Sequence, residues 1–550
     1  MIVEFFLILC LLVVFTGWGI WAKMLTGIKT DSFILTVLLG FSFFGIITCL
    51  FSFFIPLNLY VESVLLIFSL IPFFSRKLRI HLLQFPKELL KSVWFWIFCV
   101  IIILAGSYYP FRPDHFIYYM ATLNWLNKYG LIIGVANIEW VLGQMSIFHI
   151  IQAGIDQTID PFHRICIFLT VLFLIYIFER KAYLLLFIIP ACFFFIQVPS
   201  PDVAIFLFSL IVVNELCFNH RADNYIILFI ISVFIFTIKP IAFWLPLWVF
   251  IAGFFLNKNE LKDYRIYLIS ALIIIVFLTK NVIASSTLFY PLPLTKLNTY
   301  WIPDLRILDL SNAKAAIYTF DKYFTIDEIN SMTFFQKFYY WLSIKDLQTI
   351  VNCLIVIVIA AFGVFCFYKK NSLYKFLWII IIIKAFVIFS FSGQFRFIID
   401  GIFPLLFIMF YPVLTGKTKI FIASLTFSLL SFISISYPPL LKQSIPDFKL
   451  TEWMTGFTKK SLLIPECDDS KICANENFGN LNFNVSAYRY NCNIPPPTLN
   501  RSGLILYHNI GIFPQMKDPD NIRKGYYMKI LTPEEREKLW EIHEFYFADP

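Results

Sequence analysis

Long apolar runs, separated by short polar breaks, extend along most of the chain. Runs of about 16 to 23 residues recur along the chain, close to the roughly 20 residues that a helix needs to cross the hydrocarbon core of a bilayer. The hydrocarbon core holds no water, so only helices and closed barrels can satisfy all of the backbone hydrogen bonds there. Because the runs are continuous and do not alternate as barrel strands do, the pattern predicts an all-α, polytopic bundle of transmembrane helices.

The apolar runs predict about 14 spans. They lie near residues 2–22, 32–55, 58–74, 93–108, 165–178, 182–198, 203–217, 225–238, 240–255, 266–284, 349–367, 376–392, 398–414 and 420–437. Basic residues follow the odd-numbered spans, among them Arg76 after the third, Arg180 after the fifth and Lys417 after the thirteenth. Short loops rich in Lys and Arg remain in the cytoplasm. The even-numbered spans are therefore predicted to end on the extracytoplasmic side.

Three longer segments are predicted to face outward: residues 109–164, residues 285–346 and the polar tail that starts at residue 438. Long loops cross the membrane largely regardless of their charge. The chain thus divides into N-terminal transmembrane helices at 1–92, a transmembrane core at 93–437 and a small extracytoplasmic C-terminal domain at 438–550.

The composition agrees with a membrane protein. Hydrophobic residues make up 59% of the chain and charged residues 14%, whereas a soluble domain is about a quarter charged. The net charge of +9 is explained by basic loops that set orientation, so we expect no nucleic-acid partner. The sequence contains no phosphate-binding loop, dinucleotide fingerprint or zinc-protease motif, which argues against an ATP-driven pump or a soluble-type dehydrogenase.

Three of the eleven cysteines, Cys467, Cys473 and Cys492, lie in the polar tail. Their number fits an oxidising compartment, with one disulfide and one remaining thiol. The pairing is not readable from the sequence. Zinc ligation is the weaker alternative, because no paired cysteine motif or histidine at metal spacing accompanies them, and we assign no metal-ligating residues.

Asp114 is the first candidate for chemistry, because it follows the fourth span beside Arg112, His115 and Tyr118. Residues 114–129 are predicted to form an amphipathic helix, and residues 141–154 a second one. Two helices lying along the outer surface, with an acid where the first begins, predict a site above the membrane. The alternative is that Asp114 serves only as a helix N-cap.

A second acid and several cations are predicted on the same side of the membrane. Asp202 ends the short loop Pro-Ser-Pro-Asp at the mouth of the seventh span. Two outward acids suit a general base and a second acid, or a ligand for a divalent cation. Lys239, Lys280 and Arg396 lie at the outer ends of spans. Singly they would extend to the headgroups, whereas gathered around one cavity they would bind a lipid phosphate.

Lys384 lies in the middle of the twelfth predicted span. A charge within the membrane needs a partner, and we expect that partner to be Asp400 or a lipid phosphate.

The fourth span, its acid-bearing outer loop and the Pro-Ser-Pro-Asp loop together resemble the membrane glycosyltransferases of the C superfamily. The resemblance implies a multi-helix fold and lipid-phosphate-linked sugar donors used on the outer face of the membrane. It also implies a catalytic acid in the first outer loop, here Asp114, and a second acid in the next outer loop, here Asp202. Three helices would precede the shared core.

The chain is also similar to an uncharacterised family of bacterial polytopic proteins associated with surface-polysaccharide genes. The matching stretches are Asp114 with Tyr118, Trp125 and Tyr129-Gly130; Gly134-Val135-Ala136-Asn137; Pro199-Ser200-Pro201-Asp202; Lys280-Asn281 with Tyr290-Pro291-Leu292; and Trp301-Ile302-Pro303. This resemblance implies a place in the bacterial inner membrane. The chain departs from the pattern at Tyr119, where a His is expected, and at Glu139-Trp140, where His and Arg are expected.

We therefore expect a glycosyltransferase that moves a sugar from a polyprenyl-phosphate carrier to an extracytoplasmic glycan or lipid-linked acceptor. Asp114 and Asp202 are the expected catalytic residues. The substrate-binding candidates are Arg112, His115, Tyr118, Asn137, Lys239, Lys280 and Arg396. No cofactor is identified, although Asp202 would suit a divalent cation.

Two alternatives stay open. A polysaccharide polymerase or ligase would depend on Arg and His in a large outer loop, and residues 285–346 contain Arg306 but no His. A flippase or transporter of lipid-linked glycans would show internal repeats and charges lining a path, and the sequence has no clear repeat.

Overall fold

The computed structural model describes residues 1–75, 85–219, 221, 224–256, 258–344, 347–414, 416–446, 448–464, 473–486 and 494–547. Arg76 of the predicted cytoplasmic loops, and Cys467 and Cys492 of the predicted disulfide set, lie outside the described residues. The described chain forms a large helical bundle followed by a small mixed α/β region.

The bundle is built from helices throughout its length. Its α-helices are α1 (Ile2–Thr26), α2 (Phe33–Ser52), α3 (Leu59–Leu70), α4 (Val93–Gly106), α5 (Met120–Tyr129), α6 (Ile147–Ala153), α7 (Ile165–Arg180), α8 (Ile189–Cys192), α9 (Pro201–Cys217), α10 (Tyr225–Ile238), α11 (Trp244–Leu256), α12 (Tyr264–Ser285), α13 (Leu305–Thr319), α14 (Ile326–Ser331), α15 (Phe334–Ser343), α16 (Leu347–Lys369), α17 (Ser372–Ser392), α18 (Ile399–Phe410), α19 (Lys417–Ser436) and α20 (Pro438–Ser444). Short 3₁₀ turns connect several of them.

The helical positions agree with the prediction, and a helical segment lies within each of the predicted spans. Among the described residues, six helices are long and apolar enough to cross a membrane: α1, α2, α12, α16, α17 and α19. Others are shorter. The predicted span at 182–198, for example, consists of a 3₁₀ turn, Tyr183–Ile188, followed by the four-residue α8. The protein is therefore a helical, membrane-embedded protein, and these six helices are its candidate spans.

The N-terminal helices pack closely through small residues. A Cβ atom on Gly40 of α2 would lie 1.8 Å from the Phe15 carbonyl oxygen of α1, and one on Gly19 would lie 2.0 Å from the Thr36 oxygen. Small residues let membrane helices approach until their backbones touch. By contrast, α16, α17 and α19 are only about a third buried, so their apolar outer faces are suited to contact lipid.

The segment after α4 differs from its prediction. Residues His115–Tyr119 form a π-helical turn that leads into α5, and Trp140–Gln144 is a 3₁₀ turn that precedes α6. Every residue of α6 is buried, so its predicted position along the outer surface is wrong. Helix α6 packs against α2, α5 and α10, and a prediction from local sequence does not include such contacts between distant segments.

The described residues of the C-terminal region that follow α20 include two small sheets and two helices. Strands β1 (Cys473–Phe478) and β2 (Leu481–Ser486) form an antiparallel hairpin, and β3 (Thr498–Asn500) pairs with β2 in parallel. Helix α21 (Arg501–Ile510) leads to the antiparallel pair β4 (Ile512–Met516) and β5 (Tyr526–Ile530), and helix α22 (Pro533–Phe547) follows.

The last helix, α22, begins with a pair of reciprocal hydrogen bonds between Thr532 and Glu535. The Thr532 hydroxyl accepts a hydrogen bond from the backbone N–H of Glu535, whose carboxylate accepts one from the Thr532 N–H. This reciprocal capping box satisfies donors that the helix itself leaves unpaired.

The C-terminal region docks on the helical bundle through hydrogen bonds to backbone carbonyls. The Tyr507 hydroxyl donates to the carbonyls of Asn137 and Ile138 at 2.7 and 2.8 Å. The Arg523 guanidinium donates to the carbonyls of Phe53 and Tyr129. These contacts connect the tail to α2 and to the segment after α5.

Candidate functional site

Two ion pairs form the centre of the candidate site. Arg396 Nη1 lies 2.9 Å from Asp114 Oδ2, and Lys239 Nζ lies 2.6 Å from Asp202 Oδ1. Asp114 precedes the π-helical turn, and Asp202 lies in the first turn of α9. Lys239 follows α10, and Arg396 lies in the 3₁₀ turn between α17 and α18. Four separate parts of the chain thus contribute one charge each.

The two ion pairs are neighbours. The ring of Phe397 lies beneath both cations, with Lys239 Nζ 4.6 Å and Arg396 Cζ 4.9 Å from its centroid. Asp114 also experiences the charges of Lys239 and Arg112. We call Arg112, Asp114, Asp202, Lys239 and Arg396 the charged cluster. Its three cations and two carboxylates carry a net charge of +1 at neutral pH.

Burial and charge oppose each other at Asp114. Burial alone would raise the pKa of this carboxyl, but Arg396 and Arg112 outweigh it and hold the pKa below its ordinary value. Burial would lower the pKa of Arg396, and the carboxylates of Asp114 and Asp202 raise it instead. Asp114 is therefore ionised at neutral pH. The side chains of Asp114 and Arg396 are 24% and 29% exposed, so part of this pair lies on the accessible surface of the protein.

The backbone at Asp114 does not fit the N-cap alternative. Asp114 has right-handed helical φ and ψ, and its side chain makes no capping hydrogen bond. The π-helical turn that follows places an extra residue in the helix, a feature often found at functional sites. The carboxylate is thus directed to Arg396 and not to its own helix.

A buried aromatic and imidazole group adjoins the cluster. The rings of Tyr118 and Tyr119 lie 4.6 Å apart, and the His149 ring lies 4.7 Å from that of Tyr119. His149 Nδ1 accepts a hydrogen bond from the Ser146 N–H, which puts the ring proton on Nε2. Burial lowers the pKa of His149 to about 3, so the ring is neutral.

Sequence reasoning did not select His149, since it lay in a predicted surface helix. The ring packs on Tyr119, the position at which the family resemblance leads one to expect a histidine. The one local signal was the capping box that Ser146 and His149 form at the start of α6.

Three predicted substrate-binding residues make their contacts elsewhere. The ammonium group of Lys280 is buried and donates to the Met145 carbonyl. Asn137 Nδ2 donates to the carbonyls of Trp301 and Tyr526, so this side chain holds the C-terminal region in place. His115 is buried, and its pKa is lowered by burial and by its neighbour His163.

The predicted pairing of Lys384 with Asp400 is confirmed. The Lys384 ammonium contacts the Asp400 carboxylate, and both side chains are fully buried. Trp244 Nε1 donates to the second carboxylate oxygen at 2.8 Å. A buried pair of this kind is neutral overall, and removing one partner leaves an uncompensated charge.

Asp114 and Asp202 are the carboxylates of the charged cluster, and each is engaged by a cation. Within the described ranges, no group of three or more His, Cys, Asp or Glu side chains is arranged to hold a metal ion. A divalent cation at this point would therefore compete with Lys239 or Arg396 for its carboxylate.

The comparisons with known proteins give one match. A family model described as a domain of unknown function (DUF8201) matches residues 1–403. No curated protein and no solved structure matches the chain. The matched region includes the whole charged cluster and ends before the C-terminal region. The chain belongs to the DUF8201 family.

Proposed function

We propose that this protein is a membrane glycosyltransferase that moves a sugar from a polyprenyl-phosphate carrier to a glycan or lipid-linked acceptor outside the cytoplasm. The observation that supports the proposal is the ion pair of Asp114 with Arg396, beside that of Asp202 with Lys239. A carboxylate is what a general base requires. Cations with a surplus of positive charge are what an anionic phosphate donor requires.

In this proposal, the donor phosphate enters the cluster and takes Arg396 and Lys239 as its partners. Asp114 then loses the cations that hold its pKa down, and becomes a stronger base. It accepts the proton of the acceptor hydroxyl while that oxygen forms a bond to the anomeric carbon. The bond from this carbon to the phosphate oxygen breaks, and Arg396 and Lys239 stabilise the charge on the leaving phosphate.

An apolar groove beside the cluster is suited to the prenyl chain of the donor. It has a volume of about 550 Å³ and lies between α10, α11 and α12, lined by Phe229, Val233, Phe236, Phe243, Pro246, Leu247, Phe250, Tyr267, Ser270, Ala271 and Ile274. Phe236 and Phe243 at one end are three and four residues from Lys239. A phosphate bound at Lys239 would thus have its prenyl chain beside this groove.

We further propose that about 14 helical segments cross the bacterial inner membrane, with the C-terminal region outside the cytoplasm. Asp114, Asp202, Lys239 and Arg396 follow or precede the outer ends of four different predicted spans. Their contacts in one cluster support a topology in which all four ends lie on the same side. The basic loops of the opposite side support a cytoplasmic position for the other ends.

The test is transfer of radiolabelled sugar from polyprenyl-phosphate donors in membranes that contain the wild type or Asp114→Asn at equal amounts. The matched control is Asp309→Asn, which changes an exposed acid on α13. Loss of transfer in Asp114→Asn alone would support the proposal. Equal transfer by all three proteins would remove Asp114 from the mechanism. Absence of transfer by the wild type with every donor would favour a polymerase, a ligase or a flippase.

A further inference from the structure

Helix α15 presents an unusual density of aromatic side chains, with the sequence Phe-Phe-Gln-Lys-Phe-Tyr-Tyr-Trp-Leu-Ser. Phe335 and Tyr339 lie one turn apart on the same side, and they are 82% and 66% exposed. On the other side of the helix, Trp341 is buried. An aromatic pair this exposed is costly in water, and each buried aromatic ring contributes substantially to a lipid or protein interface.

The contacts of α15 place it beside the end of two apolar helices. It ends at Ser343, and the candidate span α16 begins at Leu347. The Phe334 ring lies 5.5 Å from the rings of both Phe386 and Phe389 in the candidate span α17. Phe386 is six residues before the end of α17, which corresponds to about 9 Å along the helix axis. This is the depth at which amphipathic helices lie between headgroups and acyl chains.

The polar groups of α15 are arranged for such a position. Thr333 and Gln336 form a capping box, in which the Thr333 N–H donates to the Gln336 side chain at 2.8 Å. The capping box therefore provides hydrogen-bond acceptors for backbone N–H groups at the start of the helix, and no other part of the protein has to provide them. The exposed apolar surface also continues onto α17, where Phe386 is 59% exposed.

We propose that α15 is a membrane-interface anchor, with Phe335 and Tyr339 in contact with the lipids of the leaflet that borders the charged cluster. The partner is the bilayer itself, because the exposed rings continue the apolar surface of α16 and α17. The assignment of this leaflet to the outer side depends on the topology proposed above. The contact of α15 with lipid does not depend on that topology.

The anchor is connected to the candidate site by one hydrogen bond. Trp341 Nε1 donates to the Gly393 carbonyl at 2.7 Å. Gly393 follows the last residue of α17 and lies three residues before Arg396. If α15 lies at a constant depth in the bilayer, this hydrogen bond would therefore fix the position of the turn that carries Arg396.

The experiment replaces Phe335, Tyr339 or Gln336 with one small fluorescent amino acid, in the full chain reconstituted in phosphatidylcholine vesicles. Quenching is then compared between lipids brominated near the headgroup and lipids brominated near the chain end. Gln336 is the control, since it is exposed but lies about 100° from Phe335 and about 60° from Tyr339 around the helix axis.

We expect strong quenching at positions 335 and 339, more by the shallow bromines than by the deep ones, and at least threefold less quenching at position 336. Weak and equal quenching at all three positions would overturn the anchor. Strong and equal quenching at all three would also overturn it, since the whole helix would then be immersed. None of these outcomes depends on sugar transfer, so the anchor and the proposed function fail separately.

Discussion

Arg396 Nη1 and Asp114 Oδ2 lie 2.9 Å apart, although 282 positions separate the two residues in the chain. The contact joins the segment between α4 and α5 to the turn between α17 and α18. It also brings Asp114 beside the second ion pair, Asp202 and Lys239. The charged cluster thus includes residues from the first third and from the last third of the bundle sequence.

Replacing Arg396 with Gln should reduce sugar transfer by about 100-fold, because one donor to the developing phosphate charge is lost. The loss should appear as a lower kcat and also as a higher KM, because Arg396 contacts the phosphate of the bound donor as well. Arg306→Gln is the control, since Arg306 forms an exposed ion pair with Asp304. Steady-state kinetics with a polyprenyl-phosphate sugar would measure both, and equal kinetics for the two variants would contradict the role of Arg396.

Replacing Ala271 with Phe should fill the groove and raise the KM for long-chain donors about tenfold. A donor with a truncated prenyl chain should be used equally well by the variant and the wild type. Ala360→Phe, on the exposed side of α16, adds the same ring outside the groove. If both variants raise the KM for long-chain donors equally, the groove does not hold the donor.

Replacing Trp341 with Phe should weaken donor binding about fivefold, since a lost hydrogen bond costs about 1 kcal/mol and here releases the turn that carries Arg396. Trp378→Phe removes a similar bond from Nε1 to the Ile359 carbonyl, at a distance from this turn. Titration with a polyprenyl phosphate would compare the two variants. Unchanged affinity in Trp341→Phe would show that the hydrogen bond from α15 does not influence donor binding at the site.

Replacing Tyr507 with Phe should destabilise the docking of the C-terminal region by about 1–3 kcal/mol, because two backbone carbonyls lose their donor. The tail should become more sensitive to limited proteolysis, whereas the exposed Tyr323→Phe should leave it unchanged. Digestion of purified protein, followed by immunoblotting for the C-terminus, would measure the rate. Equal rates would show that these two hydrogen bonds do not hold the tail.

Asp160 predicts a specific pH dependence of stability. Burial raises the pKa of this carboxyl to about 6, so the folded state holds its proton more tightly than the unfolded chain. Its contribution is therefore fully present below about pH 4 and is lost as the pH rises through 6. The loss approaches about 3 kcal/mol, at 1.36 kcal/mol for each unit.

Asp160→Asn should accordingly gain stability relative to the wild type between pH 4 and pH 7. Thermal unfolding in detergent at several pH values would measure the difference. The matched control is Asp309→Asn, which removes an exposed carboxylate from α13. A constant difference between Asp160→Asn and the wild type would contradict the shifted pKa.

The helical organisation of this protein was readable from the sequence alone. The run at 225–238, for example, forms α10 with the same bounds. The start and end of an apolar segment can be read from the local sequence, because they depend on residue type and not on contacts with distant segments. Asp114, Asp202, Lys239 and Arg396 were also recognisable, since few charged residues adjoin the predicted outer ends of the spans. The pairing of Lys384 with Asp400 was predictable because a charge in the middle of an apolar run needs an opposite charge beside it.

The tertiary structure decided which of these charges meet. Nothing in the local sequence pairs Arg396 with Asp114, or separates Lys280 from them, because helix packing sets both distances. The π-helical turn after Asp114 and the burial of His149 likewise depend on neighbours far along the chain. The hydrophobic pattern of a segment predicts whether that segment lies in lipid or in water. A site is formed by contacts between segments, and those contacts exist only in the folded bundle.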